Sequence, residues 1–495
     1  MASLLYCIIV FMKDGNINFY KVFAKLTCDA TKMETTASFL TQSYRLIFLT
    51  VAGLLLASCA APQPPTETPR APVISAPPVT EETPDVAPRQ RINIGLLLPL
   101  SGPQASLGKT LLQAAILALH DSDDQRLHLL PEDTRGDPTV AESALQRLLE
   151  KKADIIIGPL FAHNTQRITP LAQQANIPVL SLSSDYKVAA PGIYLMGFRP
   201  EEQVSHILQY AATHGFDQYA VLLPETSYGQ RILATIGAQI AQLEKTLSAI
   251  SFYPPDTNQL FEPVKNLADY DHRRQEYVDE ITFLDNLGEN DDFAIELKKE
   301  IEHKDTLNPV DFDAVLLPEG GALLRTLAPM LSYYDVDTDQ VKLLGTGLWD
   351  DPLLMKEPQL LGGWFAGPKR DRAEKFRNRY ADIFGERPPR ISTLAYDAVA
   401  LAAILTRQHP VPDYSAKVLT DPNGFDGLDG LFRFHTNGLN ERALAIYEIQ
   451  PDGFTIISPS QTDFMPVPSP APPHIPDTLD YHDPWTIDQL TPPAN

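Results

Sequence analysis

Short apolar runs alternate with amphipathic stretches along the middle of the chain. The runs are rich in valine, isoleucine and leucine, and several of them end in proline. Strands of a parallel sheet have this composition because helices cover both of their faces. The predicted strands are residues 92–99, 127–130, 154–158, 178–182, 220–224, 313–318 and 341–344, and the predicted helices are residues 111–120, 139–151, 163–175, 228–243 and 323–334. This alternation predicts an α/β fold with mostly parallel sheets sandwiched by helices.

The alternation of strands and helices restarts after about residue 200, which predicts two lobes. Lobe 1 is predicted to comprise about residues 91–200 and 369–425, and lobe 2 about residues 201–368 and 426–458. Within lobe 2, the charge-rich segment 269–305 keeps helical apolar spacing on both sides of a Gly-Glu-Asn break, which predicts an inserted helical hairpin. Such an insert is either a solvated decoration or a docking element for a partner.

Proline is concentrated on both sides of this predicted two-lobed domain, residues 91–458. Residues 60–90 contain nine prolines, and ten more lie between Pro459 and the end of the chain. Segments of this composition cannot bury enough apolar surface to fold, and they favour extended polyproline II. We therefore predict a linker over residues 59–90 and a tail without a packed core over residues 459–495. At about 3.1 Å per residue, the linker could reach up to roughly 90 Å.

The N-terminal part of the chain has the features of a secretion signal. Residues 46–56 are apolar, too few to span a bilayer, which takes about 20, but typical of a signal-peptide core. The tetrapeptide LASC follows and ends at Cys59, which resembles the lipobox of bacterial lipoproteins. The resemblance implies that residues 1–58 form a signal or leader region, that Met33 is a candidate true start, and that a lipid on Cys59 attaches the chain to a membrane.

The residue after the lipidated cysteine bears on the destination of a lipoprotein. In this class an aspartate at that position usually holds the protein in the inner membrane, whereas Ala60 stands there in this chain. The resemblance therefore implies the periplasmic side of the outer membrane and makes the inner membrane the second choice.

Composition excludes several classes of function. The chain is acidic, with a net charge of −23 and a pI of about 4.8, so it offers no basic surface for nucleic acid. Its three cysteines are Cys7, Cys28 and Cys59, so the predicted domain can hold no disulfide, cysteine-ligated zinc or catalytic thiol. The histidines are scattered, and the sequence has no nucleophile elbow or phosphate-binding loop. We therefore predict no enzymatic activity, no metal and no cofactor.

Five short motifs in order resemble the type I periplasmic binding proteins of the leucine/isoleucine/valine class. They are IGLLLPLSG from Ile94, IIGPL from Ile156, IPVLS from Ile177, SYG from Ser227 and LAYDA from Leu394. Each motif is weak alone, but their common order favours one fold. The resemblance covers about residues 91–458 and implies a type I periplasmic-binding-protein-like fold with two lobes.

Two further motifs, GLWDDP from Gly347 and GGWFA from Gly362, are similar to those of penicillin-binding protein activators. The best-known members are outer-membrane lipoproteins that stimulate class A peptidoglycan synthases. The resemblance implies a regulator of peptidoglycan synthesis that acts by contact with a class A penicillin-binding protein. The chain departs from those members because a proline-rich linker stands where they carry a helical-repeat domain. The alternative is a solute-binding lipoprotein of an ABC importer, for amino acids or related small molecules.

In the amino-acid-binding relatives, loop hydroxyls and backbone groups hold the ligand carboxylate, and an aromatic residue and an acid from the second lobe complete the site. Carried over by motif, the candidate ligand contacts are Asn164, Thr165, Ser181, Ser183 and Ser184 from lobe 1 and Tyr228, Trp349 and Asp350 from lobe 2. Phe161 and Asp185 depart from the pattern, because Phe161 is large and Asp185 would repel a ligand carboxylate. The alternative for each candidate is an ordinary capping or packing role, which we favour for Trp349.

Overall fold

A computed structural model describes residues 91–464, apart from residues 255, 288–290 and 409–410 and the side chain of Thr257. The predicted leader, Cys59, the predicted linker and residues 465–495 of the predicted tail lie outside the described residues. In the described part of the chain, no helix combines the length and the apolar character that crossing a bilayer requires.

The first stretch of the described chain folds into a parallel sheet covered by helices. Its elements are β1 (Ile92–Leu98), α1 (Ala105–Ser122), β2 (Leu127–Asp133), α2 (Pro138–Glu150), β3 (Ile155–Ile157), α3 (Ala162–Gln174), β4 (Val179–Ser181) and β5 (Ile193–Leu195). The strand order is β2-β1-β3-β4-β5, with every neighbouring pair parallel. The residues of β3, β4 and β5 are all buried, which explains why these strands are uninterrupted apolar runs.

The second stretch repeats the pattern and includes the predicted hairpin. Its elements are α4 (Pro200–Thr213), β6 (Gln218–Pro224), α5 (Ser227–Leu243), β7 (Thr246–Tyr253), α6 (Phe261–Leu267), α7 (Tyr270–Leu287), α8 (Asp292–Ile301), β8 (Ala314–Leu316), α9 (Gly321–Tyr333), β9 (Lys342–Gly345) and β10 (Trp364–Pro368). Helices α7 and α8 form the hairpin, and they enclose a small core of Leu284, Ala294 and Ile301. The α/β fold and the helical insert predicted from the sequence are confirmed.

The C-terminal part of the described chain, from α10 onwards, first adds elements to the first lobe and then adds strands to the second. Its elements are α10 (Asp371–Phe384), α11 (Ser392–Gln408), α12 (Ala416–Leu419), β11 (Phe425–Gly427), β12 (Gly430–Phe434), β13 (Asn440–Arg442), β14 (Leu444–Gln450) and β15 (Gly453–Ser458). Strands β14 and β15 complete the second sheet in the order β15-β14-β10-β9-β8-β6-β7, and both pairings that β14 makes are antiparallel. Strands β11, β12 and β13 form a small antiparallel sheet.

Helices α10 and α11 belong to the first lobe, because Phe376, Tyr380 and Leu394 share its apolar core with Ile94 and Leu111. The side chains of Phe432 and Phe434 also pack into that core. The chain therefore returns to the second sheet only at β14, whereas the sequence predicts lobe 2 for about residues 426–458.

An ionic contact fixes α10 and α11 against α1. Arg379 of α10 binds Asp121 of α1 through both terminal nitrogens, at 2.5 and 2.7 Å, and the Tyr396 hydroxyl of α11 donates to the same carboxylate at 2.8 Å. The Arg379 guanidinium, helped by Tyr396, lowers the pKa of Asp121 to about 2. The position of α10, which carries an arginine of the interlobe region, is thereby held.

Two of the segments that pass between the lobes lie side by side. The Asn440 amide donates to the Gly197 carbonyl at 2.9 Å, and the Arg442 guanidinium donates to the Met196 carbonyl at 2.7 Å. Both carbonyls belong to the connection between β5 and α4, whereas Asn440 and Arg442 belong to β13. These bonds hold the base of the interlobe region, where the candidate site lies.

Candidate functional site

The lobes contact each other through side chains from loops and helix starts that follow or precede their sheets. Residues 181–187 of the first lobe contact residues 224–231 of the second, and residues 345–351 of the second lobe contact Arg377 and Arg390 of the first. Residues 158–165 lie beside residues 181–187 within the first lobe. We call the region between the two lobes the cleft. Ligands of parallel sheets bind beyond the carboxyl ends of the strands, so this is where a ligand of either lobe would be expected.

Most of the lobe 1 candidates lie together but are buried. Thr165 and Ser181 share a hydrogen bond of 2.7 Å between their hydroxyls, and the Ser181 hydroxyl also lies 3.2 Å from the Pro159 carbonyl. The Ser183 hydroxyl accepts the backbone N–H of Asp185 at 3.1 Å. These three side chains therefore bind neighbouring groups of the protein, in the capping and turn roles that were the alternative to ligand contact. Ser184, next to them, is half-buried.

Asn164 differs from the other lobe 1 candidates because its hydrogen-bonding capacity is unused. Its side chain is fully buried at the start of α3, and neither its amide oxygen nor its amide nitrogen has a partner among the described residues. Buried amides nearly always have partners, so a group at this position calls for a water molecule or a ligand. Asn164 is the lobe 1 candidate whose environment best fits binding of a polar group.

Two lobe 2 candidates donate hydrogen bonds to carbonyl groups of their own lobe. The Tyr228 hydroxyl donates to the Pro318 carbonyl at 2.9 Å, and burial raises its pKa. Trp349 is fully buried, and its indole N–H donates to the Leu317 carbonyl at 3.1 Å. A Cβ added to Gly345 would lie 2.2 Å from the Trp349 ring, so only glycine lets the ring pack this closely on β9. Trp349 therefore has the packing environment that we favoured for it.

Asp350, the predicted acid of lobe 2, is bound by guanidiniums of the protein itself. Its side chain is only 4% exposed, and its carboxylate lies 2.6 Å from Nε of Arg370, 2.9 Å from Nε of Arg390 and 3.4 Å from Nη2 of Arg377. We call these four residues the Asp350 cluster. Arg377 is on α10 and Arg390 precedes α11, both in the first lobe, so the cluster joins one lobe to the other.

Further acids surround the arginines of the Asp350 cluster. Arg377 also binds Glu374, and Arg390 binds Asp429, which is fully buried. Burial lowers the pKa of Arg377, although Asp350 opposes this, whereas for Arg390 the nearby Asp429 and Asp350 outweigh burial and raise the pKa. Charges in such a setting are tolerated because each has an opposite charge beside it. Asp350 thus supplies part of the negative charge that compensates the three buried or half-buried guanidiniums.

A second ionic contact joins the two lobes. Arg231 of α5 lies 2.7 Å from the carboxylate of Asp185 and 3.3 Å from that of Glu201, and its guanidinium lies 5.9 Å from the centre of the Tyr186 ring. Asp185 belongs to the first lobe and Arg231 to the second. The acid that was expected to repel a ligand carboxylate is therefore bound to a cation from the facing lobe.

The arginines of these contacts were not among the sequence-based candidates. Their partners lie 20 or more residues away along the chain, so no local motif reports the pairing. One signal was present, since six arginines fall between residues 370 and 390 of this acidic chain. Such a density of guanidiniums indicates buried or interfacial carboxylates, with which arginine forms its most specific ion pairs.

Two surface cavities lie elsewhere in the described part of the chain. One, of about 290 Å³, lies between the start of α1 and residues 386–389, and the other, of about 350 Å³, is lined by Asp123, Asp124, Arg126 and Arg407. Neither is lined by a candidate residue of the cleft. Among residues 91–464, as far as they are described, no group of three or more histidines, cysteines or acids is placed to hold a metal ion.

A family of known proteins matches the whole two-lobed region. The model of the periplasmic binding protein family matches residues 91–454. A solved substrate-binding protein of an ABC transporter from Sphaerobacter thermophilus aligns over 76% of this chain and 99% of its own, with a TM-score of 0.57 and 17% identity. A solute-binding protein from Rhodopseudomonas palustris, solved with 3,4-dihydroxybenzoic acid, aligns over 76% and 97%, with a TM-score of 0.52 and 18% identity. At such identities the structural likeness shows the fold alone.

Curated relatives match shorter parts of the chain. An uncharacterized protein of Rickettsia prowazekii is 26% identical over 205 residues, which are 41% of this chain and 55% of that protein. The penicillin-binding protein activator LpoA of Vibrio cholerae is 24% identical over 166 residues, which are 32% of this chain and 27% of that protein. The chain thus spans about half the length of the first relative and about a quarter of the second.

Proposed function

We propose that this chain, which belongs to the periplasmic binding protein family, regulates peptidoglycan synthesis through contact with a class A penicillin-binding protein. In this proposal the two-lobed domain is a binding surface for a protein, and it performs no catalysis. Similarity to the penicillin-binding protein activator LpoA supports the choice of partner.

The observation that carries the proposal is the Asp350 cluster. In a solute receptor, the charged groups of the cleft are unpaired until the ligand binds, because the ligand supplies the opposite charges. Here the acid that would take a ligand ammonium is bound by three guanidiniums, two of which come from the facing lobe. With Arg231 bound to Asp185, the cleft has its countercharges before any solute arrives. The domain is therefore suited to keep one closed shape, which favours a role in protein contact.

The two motifs that resemble penicillin-binding protein activators also contact each other in the fold. A Cβ on Gly363 of the GGWFA motif would lie 2.9 Å from the ring of Trp349 of the GLWDDP motif. The Trp349 and Phe365 rings have centroids 6.4 Å apart. The motifs thus form one packing unit, and the first of them contains Asp350, which links the unit to the Asp350 cluster.

One observation favours the alternative, a solute-binding lipoprotein of an ABC importer. Asn164 is buried beside the cleft loops with both amide atoms unpartnered among the described residues. A small amino acid or carboxylate could satisfy such a group, and the solute-binding protein from Rhodopseudomonas palustris was solved with an acid, 3,4-dihydroxybenzoic acid. We rank this function second, because the acid that would bind a ligand ammonium, Asp350, is already paired with arginines of the protein.

The proposed location is the periplasmic side of the outer membrane. Cys59 would carry the lipid, and the proline-rich linker over residues 59–90 would give the domain reach towards a synthase in the inner membrane. The membrane is then a partner only through the lipid, and no nucleic acid is involved.

The experiment that tests the proposal measures binding and activation together. We expect the full-length chain, in detergent, to bind a class A penicillin-binding protein of the same organism and to increase its rate of glycan polymerisation or cross-linking. The control is the Cys59→Ser variant, which should bind equally in detergent but should no longer be retained in membranes of living cells. If no class A synthase of the organism binds the chain or responds to it, the proposal is wrong.

A further inference from the structure

The helical hairpin formed by α7 and α8 exposes apolar side chains that its own core does not use. The exposed fractions are 54% for Phe283, 42% for Leu287 and 67% for Phe293. Phe283 and Leu287 are four residues apart and therefore share one flank of α7. Phe293 lies in the first turn of α8, six residues after Leu287 in the sequence. We call these three residues the hairpin tip.

The hairpin is held firmly where it leaves the second lobe. The buried guanidinium of Arg273 donates to the Asn308 carbonyl at 2.8 Å, the Ala268 carbonyl at 3.0 Å and the Asp335 carbonyl at 2.9 Å. At the other side of this base, Tyr270 donates to the carboxylate of Asp305 at 2.6 Å. The tip is thus presented on a fixed support, which lowers the entropy lost when a partner binds.

The hairpin also carries a strong negative charge. Residues 269–305 contain thirteen acidic residues against five lysines and arginines, a net charge of −8. Large exposed apolar side chains within a field of one sign indicate a partner of the opposite sign, because apolar anchors supply affinity and the charged rim directs encounter. A second copy of this chain would bring the same negative charge, so self-association through the tip is disfavoured.

We propose that the hairpin tip is the docking surface for a basic, apolar-centred patch on the penicillin-binding protein. The inference rests on the proposed function, since it names the surface through which that same contact is made. Phe283, Leu287 and Phe293 enter an apolar pocket of the partner, and the acids around them face its lysines and arginines. The interlobe cleft then serves to keep the lobes closed and is not itself the surface of contact.

The test compares two triple variants of the full-length chain in equilibrium binding to the synthase. The first is Phe283→Ser, Leu287→Ser and Phe293→Ser. The matched control, Ile116→Ser, Ile383→Ser and Ile404→Ser, removes three comparably exposed apolar residues from the first lobe. We expect the tip variant to bind at least about 10-fold more weakly, and the control to stay within about 2-fold of the unchanged chain.

A second variant, Glu296→Gln with Glu300→Gln, keeps the tip but lowers its charge. Both residues are exposed on α8. We expect slower association, by about 3-fold or more at low salt, and a smaller loss of association rate between about 50 and about 500 mM NaCl.

The possible outcomes separate this inference from the proposed function. If the synthase binds the unchanged chain and the tip variant equally, the docking inference is wrong while the proposed function stands. If the unchanged chain does not bind the synthase, both fail. If the unchanged chain forms dimers that the tip variant does not form, the occupant of the tip is a second copy, and the inference is likewise overturned.

Discussion

Replacing Asp350 by alanine should lower the free energy of unfolding of the full-length chain by about 3–5 kcal/mol, which is the usual cost of removing one partner from a buried ion pair. The substitution leaves Arg370, Arg377 and Arg390 close together without the carboxylate they share. Arg390 retains its ion pair with Asp429, and Arg377 retains its ion pair with Glu374. These remaining pairs limit the loss of stability. Equilibrium unfolding in urea, followed by circular dichroism, measures the change.

The neighbouring acid supplies the control for the Asp350 experiment. Asp351 caps a short helical turn, where its carboxylate accepts the backbone N–H of Leu353 at 2.9 Å, and it takes part in no ion pair of the Asp350 cluster. Asp351→Ala should therefore cost only about 0.5–2 kcal/mol, the range for loss of a cap. A cost for Asp350→Ala no larger than that of Asp351→Ala would contradict the role assigned to the cluster.

Replacing Trp349 by alanine should also cost about 3–5 kcal/mol, as is typical for truncation of a fully buried tryptophan. The indole fills the core of the second lobe, and its removal leaves the Leu317 carbonyl without that donor. Gly345 and Gly363 pack directly on the ring and have no side chain. The cavity left by the indole can therefore be filled there only by movement of the backbone.

The residue before Trp349 gives the comparison for this substitution. Leu348 is 50% exposed, so Leu348→Ala should change the free energy of unfolding by no more than about 0.5 kcal/mol. Urea unfolding of both variants measures the difference. Equal stability of the two would show that Trp349 is not the core residue described above, and it would restore the hypothesis that its ring is available to a ligand.

Buried apolar strands were the part of the fold that the sequence predicted best. Runs such as residues 155–157 and 220–224 are apolar on both faces because helices cover both sides of their sheets. Their apolar residues are therefore consecutive, and polar residues or turns mark where each run begins and ends. The hairpin was predictable for the opposite reason. Its few apolar residues fall at helical spacing within a highly charged segment, so the period is easy to see.

Three of the four edge strands of the two large sheets, β5, β7 and β15, were not predicted, whereas the edge strand β2 was predicted over residues 127–130. β7 lies at one edge of the second sheet and alternates exposed and half-buried residues, and β15 lies at the other edge with no buried residue. β5 is only three residues long and lies at the edge of the first sheet. β7 and β15 bury less apolar surface, so their composition differs little from that of loops, whereas β5 is buried but too short to leave a recognisable pattern.

The cleft shows a different limit of sequence reasoning. The motifs placed Thr165, Ser181 and Ser183 together, and they lie together, because Ser181 and Ser183 are at or just beyond the end of β4 and Thr165 is on the helix that follows the neighbouring strand β3. The partners of Asp350 could not be read in this way, since they come from segments 20 or more residues away in the sequence, two of them in the facing lobe. Whether any of the predicted residues contacts a ligand stays a prediction.

The central claim is that the cleft is held closed by the protein's own ion pairs and has no need of a solute. Its most direct test is a thermal-unfolding titration of the full-length chain with leucine, isoleucine, valine and 3,4-dihydroxybenzoate. A ligand at about 100 times its dissociation constant would stabilise the fold by about 2.7 kcal/mol, which raises the melting temperature measurably. The account predicts no dose-dependent rise with any of these solutes. A saturable rise that is lost in Asn164→Ala would contradict the account and would make the chain a solute receptor.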